Sequence, residues 1–303
     1  MKKLAILFIA LISVISANAE SKRWAVVELS TIYMRLMPDY ESPLETQELM
    51  GTIVEIVGEK SYWREIVSPQ PYQAWCTAKG IVEMPEEEIE AYKAAPKCIF
   101  TDLYGHVYEH PTYKSGTICD LVGGDVMRSG AKRRGWTEVI LPSGKRGWVR
   151  SDQVKPHTGF ISIAQGEGSA ESISNKKMED IIATAMKLKG VPYLWGGMSP
   201  KGVDCSGLVR WSYLMNGILL PRNASQSIKC GDPINLDSLQ RGDLVYFGSP
   251  AKDGKPQRVT HVGIYIGDNR IIHASHLVRV NSLSPSDEDY YENAHRLIAA
   301  RRL

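Results

Sequence analysis

Gly190-Val191-Pro192-Tyr193-Leu194-Trp195-Gly196-Gly197, followed closely by Asp204-Cys205-Ser206-Gly207-Leu208-Val209, is the stretch on which the reading of this chain turns. From Cys205 onward, Leu208, Val209, Ser212 and Met215 recur at three- to four-residue spacing as far as a stop at Asn216-Gly217, which predicts a helix. Cys205 then sits in the first turn, where unpaired N–H groups and the positive dipole end favour a thiolate. The thiolate is the attacking form of cysteine, and helix N-termini lower thiol pKa values. The competing reading is a small buried hydrophobe. Two histidines downstream favour the nucleophile.

Thr260-His261-Val262-Gly263-Ile264-Tyr265-Ile266-Gly267 alternates as a half-buried strand does, and Asp268-Asn269 supplies a hairpin turn into Arg270-Ile271-Ile272-His273-Ala274-Ser275. His261 opens one strand and His273 lies in its neighbour, within reach across the antiparallel pair. One ring can take the cysteine proton while the other orients it, the nucleophile–base–orienter logic of hydrolytic triads. A zinc site lacks an evident fourth ligand, and no cofactor or metal is expected. Upstream, Met178, Ile181, Ile182, Ala185 and Leu188 form the stripe of a helix capped by Ser174 or Asn175 and ended by Gly190. Helices first and antiparallel strands after make an α+β pattern.

Working outward, 303 residues are too many for one ordinary core. Lys2-Lys3, an apolar run from Leu4 to Ile15, and Ala17-Asn18-Ala19 read as a leader peptide over 1–19, too short to span a bilayer. Lys2 and Lys3 leave with it, which brings the 36 basic residues level with the 34 acidic ones. That balance argues against nucleic acid as a partner. Of five cysteines in an exported chain, at least one is free or paired between chains. With Cys205 free, Cys76, Cys98, Cys119 and Cys230 allow two bridges in three arrangements, or none, and the sequence does not choose.

The first half repeats itself. Trp63-Arg64-Glu65-Ile66-Val67-Ser68-Pro69 matches Trp136-Thr137-Glu138-Val139-Ile140-Leu141-Pro142, and a second tryptophan follows twelve residues on in both, Trp75 and Trp148. Two small antiparallel barrels over 20–84 and 98–158 account for this, with the tryptophans in their cores. Residues 85–97, carrying Glu86-Glu87-Glu88 between Pro85 and Pro96, predict a short solvated helix. The Gly/Ser-rich 159–175 reads as a linker to a domain at 176–303.

The barrels resemble bacterial SH3-type domains, through Arg146-Gly147-Trp148-Val149 and, more loosely, Gln73-Ala74-Trp75-Cys76. The second half resembles the NlpC/p60 cysteine peptidases, through the two opening motifs, Leu220-Pro221-Arg222, Arg241-Gly242-Asp243-Leu244, His261 to Gly267 and His273-Ala274-Ser275. The resemblance implies a papain-like α+β fold with Cys205 as nucleophile, His261 as base, His273 as orienter, and Tyr193 beside the oxyanion. Two SH3-type barrels before such a domain resemble the γ-D-glutamyl-L-diamino acid endopeptidases. That subfamily releases L-Ala-γ-D-Glu from peptidoglycan stem peptides with a free N-terminal L-Ala. Carried onto this chain, Glu45 and Tyr72 hold the amine, Trp195 walls the alanine pocket, Asp204 lies beside the amine and Ser206 near the D-Glu carboxylate. Asn223-Ala224 departs from the acid-plus-hydroxyl expected after Pro-Arg, with Ser225 as the substitute hydroxyl. The resemblance further implies a role in wall-peptide recycling, from which a periplasmic place follows; a monomer, away from the membrane once its leader is removed, is expected. The rivals are an endopeptidase acting on intact wall and a non-catalytic wall-binding module.

Overall fold

The computed structural model of the chain describes residues 22–69, 72–163 and 173–303. The expected leader and residues 164–172 of the linker lie outside these. The first seven strands are β1 (Arg23–Val27), β2 (Thr31–Arg35), β3 (Leu44–Leu49), β4 (Ile53–Lys60), β5 (Trp63–Val67), β6 (Gln73–Thr77) and β7 (Ile81–Met84). They form an antiparallel sheet in the order β3-β2-β6-β5-β4-β1-β7. Helix α1 (Glu86–Ala94) follows. The next seven are β8 (Lys97–Phe100), β9 (Tyr104–Tyr108), β10 (Thr117–Val122), β11 (Val126–Arg133), β12 (Trp136–Ile140), β13 (Arg146–Arg150) and β14 (Val154–Pro156). Their order, β10-β9-β13-β12-β11-β8-β14, repeats the first strand for strand, so both are SH3-like units.

The repeated tryptophans divide by position. Trp63 and Trp136 open β5 and β12 and are buried, whereas Trp75 and Trp148 are half-exposed. In β6 and β13 the residues facing inward are Ala74 and Cys76, Gly147 and Val149, because alternation puts the intervening tryptophan on the other face. Helix α1 also differs from the expected solvated connector. Its Glu86-Glu87-Glu88 turn faces water, but Ile89 and Tyr92 are buried against Val26 and Met84. The two sheets are pinned together at Gly51. With φ +88°, it lies so near the Val126 carbonyl that an added Cβ would stand 2.2 Å from that oxygen.

The C-terminal unit carries α2 (Asn175–Met186), α3 (Cys205–Leu214), the short α4 (Ala224–Ser227) and an antiparallel sheet. Its strands are β15 (Asp232–Ile234), β16 (Leu244–Ser249), β17 (Arg258–Gly267), β18 (Arg270–Ser275), β19 (Leu277–Ser282) and β20 (Leu297–Arg302). The sheet order is β15-β20-β16-β17-β18-β19. Ser174 caps α2, accepting the Lys177 N–H at 3.3 Å, and the predicted stripe of Met178, Ile181, Ile182 and Ala185 is its buried face. One sheet face packs Leu244, Tyr246, Val262, Ile264 and Ile272 against Leu208, Val209 and Trp211 of α3. The other packs Val245, Phe247, Tyr265 and Ile271 against Tyr291. Truncating one such core side chain to alanine costs about 2–5 kcal/mol. Among the described residues Cys76, Cys98 and Cys119 are free thiols.

Candidate active site

Cys205 is the first residue of α3 because Asp204, in extended backbone, caps it and accepts the Gly207 N–H at 2.6 Å. Gly207 is required there, since a Cβ would stand 2.0 Å from the Gly197 carbonyl oxygen. The backbone N–H groups of Ser206 and Val262 donate toward the Cys205 sulfur, which puts it one residue from His261. His261 is the fourth residue of β17, not its first, because the strand begins at Arg258 and the ladder bulges beside Phe247. The Asp268-Asn269 turn has φ +50° and +54°, the two left-handed residues of a tight hairpin. It folds β18 back so that His261 Nε2 lies 2.8 Å from His273 Nδ1. On its other side His273 Nε2 meets Asn281 Oδ1 at 3.0 Å, and Asn281 Nδ2 donates to the Asp289 carbonyl at 2.6 Å. Tyr291 stands edge-on to the His273 ring and tilted against His261, with ring centres 4.6 and 5.6 Å away. Asn281 and Tyr291 were missed in the sequence, where an asparagine in a strand and a tyrosine in a polar loop carry no signal.

Electrostatics depart from the helix-dipole expectation. Burial, reinforced by the neighbouring Asp204 carboxylate, pushes the Cys205 thiol up to about 12. Burial and the adjacent positive charges push His261 down to about 3, and burial takes His273 down to about 4. Desolvation outweighs the helix terminus and the two amides, which favours a neutral thiol and neutral imidazoles.

Around this centre the first SH3-like unit meets the catalytic unit. Buried Arg222 is the hub: Nη2 bonds Asp204 Oδ2 at 2.6 Å, Nη1 bonds Asp204 Oδ1 at 3.1 Å and Ser206 Oγ at 2.9 Å, and Nε reaches Thr46 Oγ1 in β3 at 2.9 Å. Gln47, next along β3, accepts the Met198 N–H at 2.8 Å. The Tyr72 hydroxyl donates to Asn223 Oδ1, and Glu45, Asp204 and Arg222 all lie within its electrostatic reach. Gly196, at φ +73°, lets the Glu45 backbone approach to where a Cβ would be 3.0 Å from it. Trp195 beside it is 67% exposed. Tyr193 lies within reach of Cys205, and its N–H donates to the His276 carbonyl at 2.9 Å.

Two residues expected to face substrate are already engaged. The Asp204 oxygens take the Gly207 and Gly196 N–H groups, the Ser206 hydroxyl and two Arg222 nitrogens. The single Ser206 hydroxyl proton goes to Asp204 at 3.0 Å. Asn223 precedes α4 and its N–H bonds Gln226 Oε1 at 3.0 Å, while Ser225 is exposed on that helix. Thr46 and Gln47 were not singled out beforehand, and only their place opposite Arg222 and Met198 reveals them.

A nucleophile at a helix start, a histidine pair in the adjacent hairpin, and a preceding SH3-like unit over the cleft define a thiol peptidase site. Residues 190–301 are an NlpC/P60 family domain, and the protein is a cysteine peptidase. Over most of its length it is similar to dipeptidyl-peptidase 6 of Lysinibacillus sphaericus, 28% identical over 274 residues that cover 87% of this chain and 93% of that one. It is similar also to the gamma-D-glutamyl-L-lysine dipeptidyl-peptidase of Bacillus cereus, 27% identical over 295 residues, covering 92% and 82%. The crystal structure of an NlpC/P60 family protein from Bacillus cereus shares the fold, with a TM-score of 0.74 at 23% identity, covering 92% of this chain and 99% of that one.

Proposed function

We propose that the protein hydrolyses the bond between γ-D-Glu and the L-diamino acid of peptidoglycan stem peptides that have a free N-terminal L-Ala, releasing L-Ala-D-Glu. The observation that carries this is the contact of the first SH3-like unit with the residues flanking the nucleophile, through Tyr72 on Asn223 and Thr46 on Arg222, which we read as closing one end of the cleft. A blocked end favours a peptide that terminates there. Glu45 and Tyr72 receive the amine. Asp204, with its oxygens occupied, anchors that wall together with Arg222 and Ser206. Trp195 covers the alanine methyl, and Ser225 remains open to solvent for the D-Glu carboxylate. The similarity to two dipeptidyl-peptidases along most of the chain supports the same reading.

In the reaction, the Cys205 sulfur attacks the γ-carbonyl carbon as His261 takes the thiol proton, with His273 and Asn281 holding the base in place. The oxyanion faces the Cys205 N–H, with Tyr193 beside it. Collapse breaks the C–N bond, and the imidazolium gives its proton to the leaving amine. Water then cleaves the thioester, returning the thiol and freeing the dipeptide acid. A neutral resting pair suits this sequence, because charge separates only once a substrate occupies the cleft.

The apolar run and Ala17-Asn18-Ala19, read as a leader, support export, and a substrate trimmed after release from the wall is consistent with a periplasmic recycling role. The test compares free stem tripeptide, the same peptide acetylated on L-Ala, and intact sacculi, by chromatography of the released dipeptide. Release from the free peptide alone is expected; equal or faster release from sacculi or from the acetylated peptide would remove the reading.

A further inference from the structure

Arg279 stands directly opposite His273 in the antiparallel pair of β18 and β19, so both side chains share one face of the sheet with Cβ atoms about 5 Å apart. Its charge reaches both rings of the histidine pair. Other arginines of the catalytic unit have acceptors: Arg270 pairs with Asp289, Arg302 with Asp243, and Arg296 donates to the Gly248 carbonyl and Thr260. The Arg279 Nε, by contrast, is buried with no hydrogen-bond partner. A buried donor left unmatched costs about 1–3 kcal/mol, and more when it is charged. This half-buried cation beside the catalytic pair therefore keeps one N–H open to an acceptor from outside the chain.

Its position says which part of the substrate supplies that acceptor. His261 must protonate the leaving nitrogen, so the residue beyond the scissile bond lies on the histidine side of the cleft, away from Tyr72 and Glu45. We propose that Arg279 binds the side-chain carboxylate of the diamino acid and makes the enzyme prefer meso-diaminopimelate, which carries that group, over lysine, which ends in an ammonium alone. The proposal rests on the dipeptide-releasing function above and specifies its substrate. It has a mechanistic consequence. The charged and titratable groups facing the histidine pair are Cys205 from α3, Arg279 from β19, and Tyr291, Glu292 and Arg296 from the segment before β20. A bound carboxylate cancels the Arg279 charge among them. The imidazoles then gain basicity, and the acid limb of kcat lies at higher pH for the diaminopimelate peptide than for the lysine peptide.

The experiment measures kcat/KM and kcat–pH profiles for three tetrapeptides of the form L-Ala-γ-D-Glu-X-D-Ala. X is meso-diaminopimelate, the same residue with its side-chain carboxylate amidated, or L-Lys. All other carboxylates are common to the three. The acid form should exceed the other two by about tenfold to a hundredfold, the worth of one hydrogen bond to a charged group. In Arg279→Ala that ratio should collapse toward one, and Arg279→Lys should keep part of it. Because each ratio is taken within one variant, the amount of folded enzyme cancels. A wild-type ratio near one, or a ratio that survives Arg279→Ala, overturns the carboxylate subsite while leaving the dipeptide-releasing function intact. No release of dipeptide from any of the three overturns that function, and the subsite with it.

Discussion

The two SH3-like units have the same strand order, yet they meet the catalytic unit in different ways. The first brings the β3 strand and Tyr72 to the cleft, where Thr46, Gln47 and Tyr72 bond Arg222, Met198 and Asn223. The second reaches behind it. There the Trp211 indole of α3 donates to the Gly123 carbonyl at 2.6 Å, Tyr104 donates to the Pro200 carbonyl at 2.5 Å, and Asp120 pairs with Lys201 at 2.6 Å. One copy bonds the residues around the nucleophile's cap; the other braces the nucleophile helix and the Pro200-Lys201 turn before it. Duplication supplied the fold twice, and the surface each copy turns inward decides what it does.

The reference for any such contrast is the enzyme without its sulfur. Cys205→Ala should lower kcat/KM by about 10⁴-fold or more with both SH3-like units folded, checked by dipeptide release and loss of iodoacetamide labelling. Retained turnover would reassign the nucleophile. Arg222→Leu cuts the tie between β3 and the nucleophile's cap and strands the Asp204 carboxylate, so denaturant unfolding should show a loss of about 3–5 kcal/mol. A loss no larger than that of a surface pair would mean that the first unit is not keyed to the site.

The buried histidines set the next effect. Their folded values, about 3 and 4, lie below the ordinary 6.5, so the unfolded chain binds protons more readily. Their contribution to stability is complete above about pH 6.5 and is lost as pH falls toward 3–4, by a few kcal/mol. A His261→Gln, His273→Gln double variant should flatten that limb in urea titrations from pH 7 to 4; an unchanged slope would show the rings titrate normally. Tyr72→Phe against Tyr104→Phe then compares the two units directly. The first should lower kcat/KM on free-amine peptides about threefold to tenfold, as one hydrogen bond would, while the second should cost stability alone. Smallest is Lys201→Ala. Its ion pair with Asp120 is half-exposed, so melting should report only about 0.2–1 kcal/mol with kcat/KM unchanged.

Much of the centre was legible beforehand because it is local. Cap, glycine and apolar period place Cys205 at a helix start, and a two-residue turn sets His273 back beside His261. The repeat of tryptophans at equal spacing foretold two copies of one topology, although alternation left Trp75 and Trp148 half-exposed. What local pattern cannot carry is competition between long-range terms. The dipole argument favoured a thiolate, but full burial depends on how β17 and α3 close over the sulfur, and that closure reverses the sign. Asp204 looked available to an amine until Arg222, eighteen residues away in sequence, occupied both its oxygens.

The sequence by itself therefore determined the elements, the duplication, and which cysteine and histidines come together, since each follows from spacing within a helix, a hairpin or a repeat. The tertiary structure alone decided which SH3-like unit bonds Arg222 and Asn223 beside the nucleophile, which polar groups are already satisfied, and that Arg279 stands opposite His273 with its Nε unpaired. Those outcomes rest on packing between segments remote in the chain, where desolvation and the pairing of buried charge outweigh anything a short motif records.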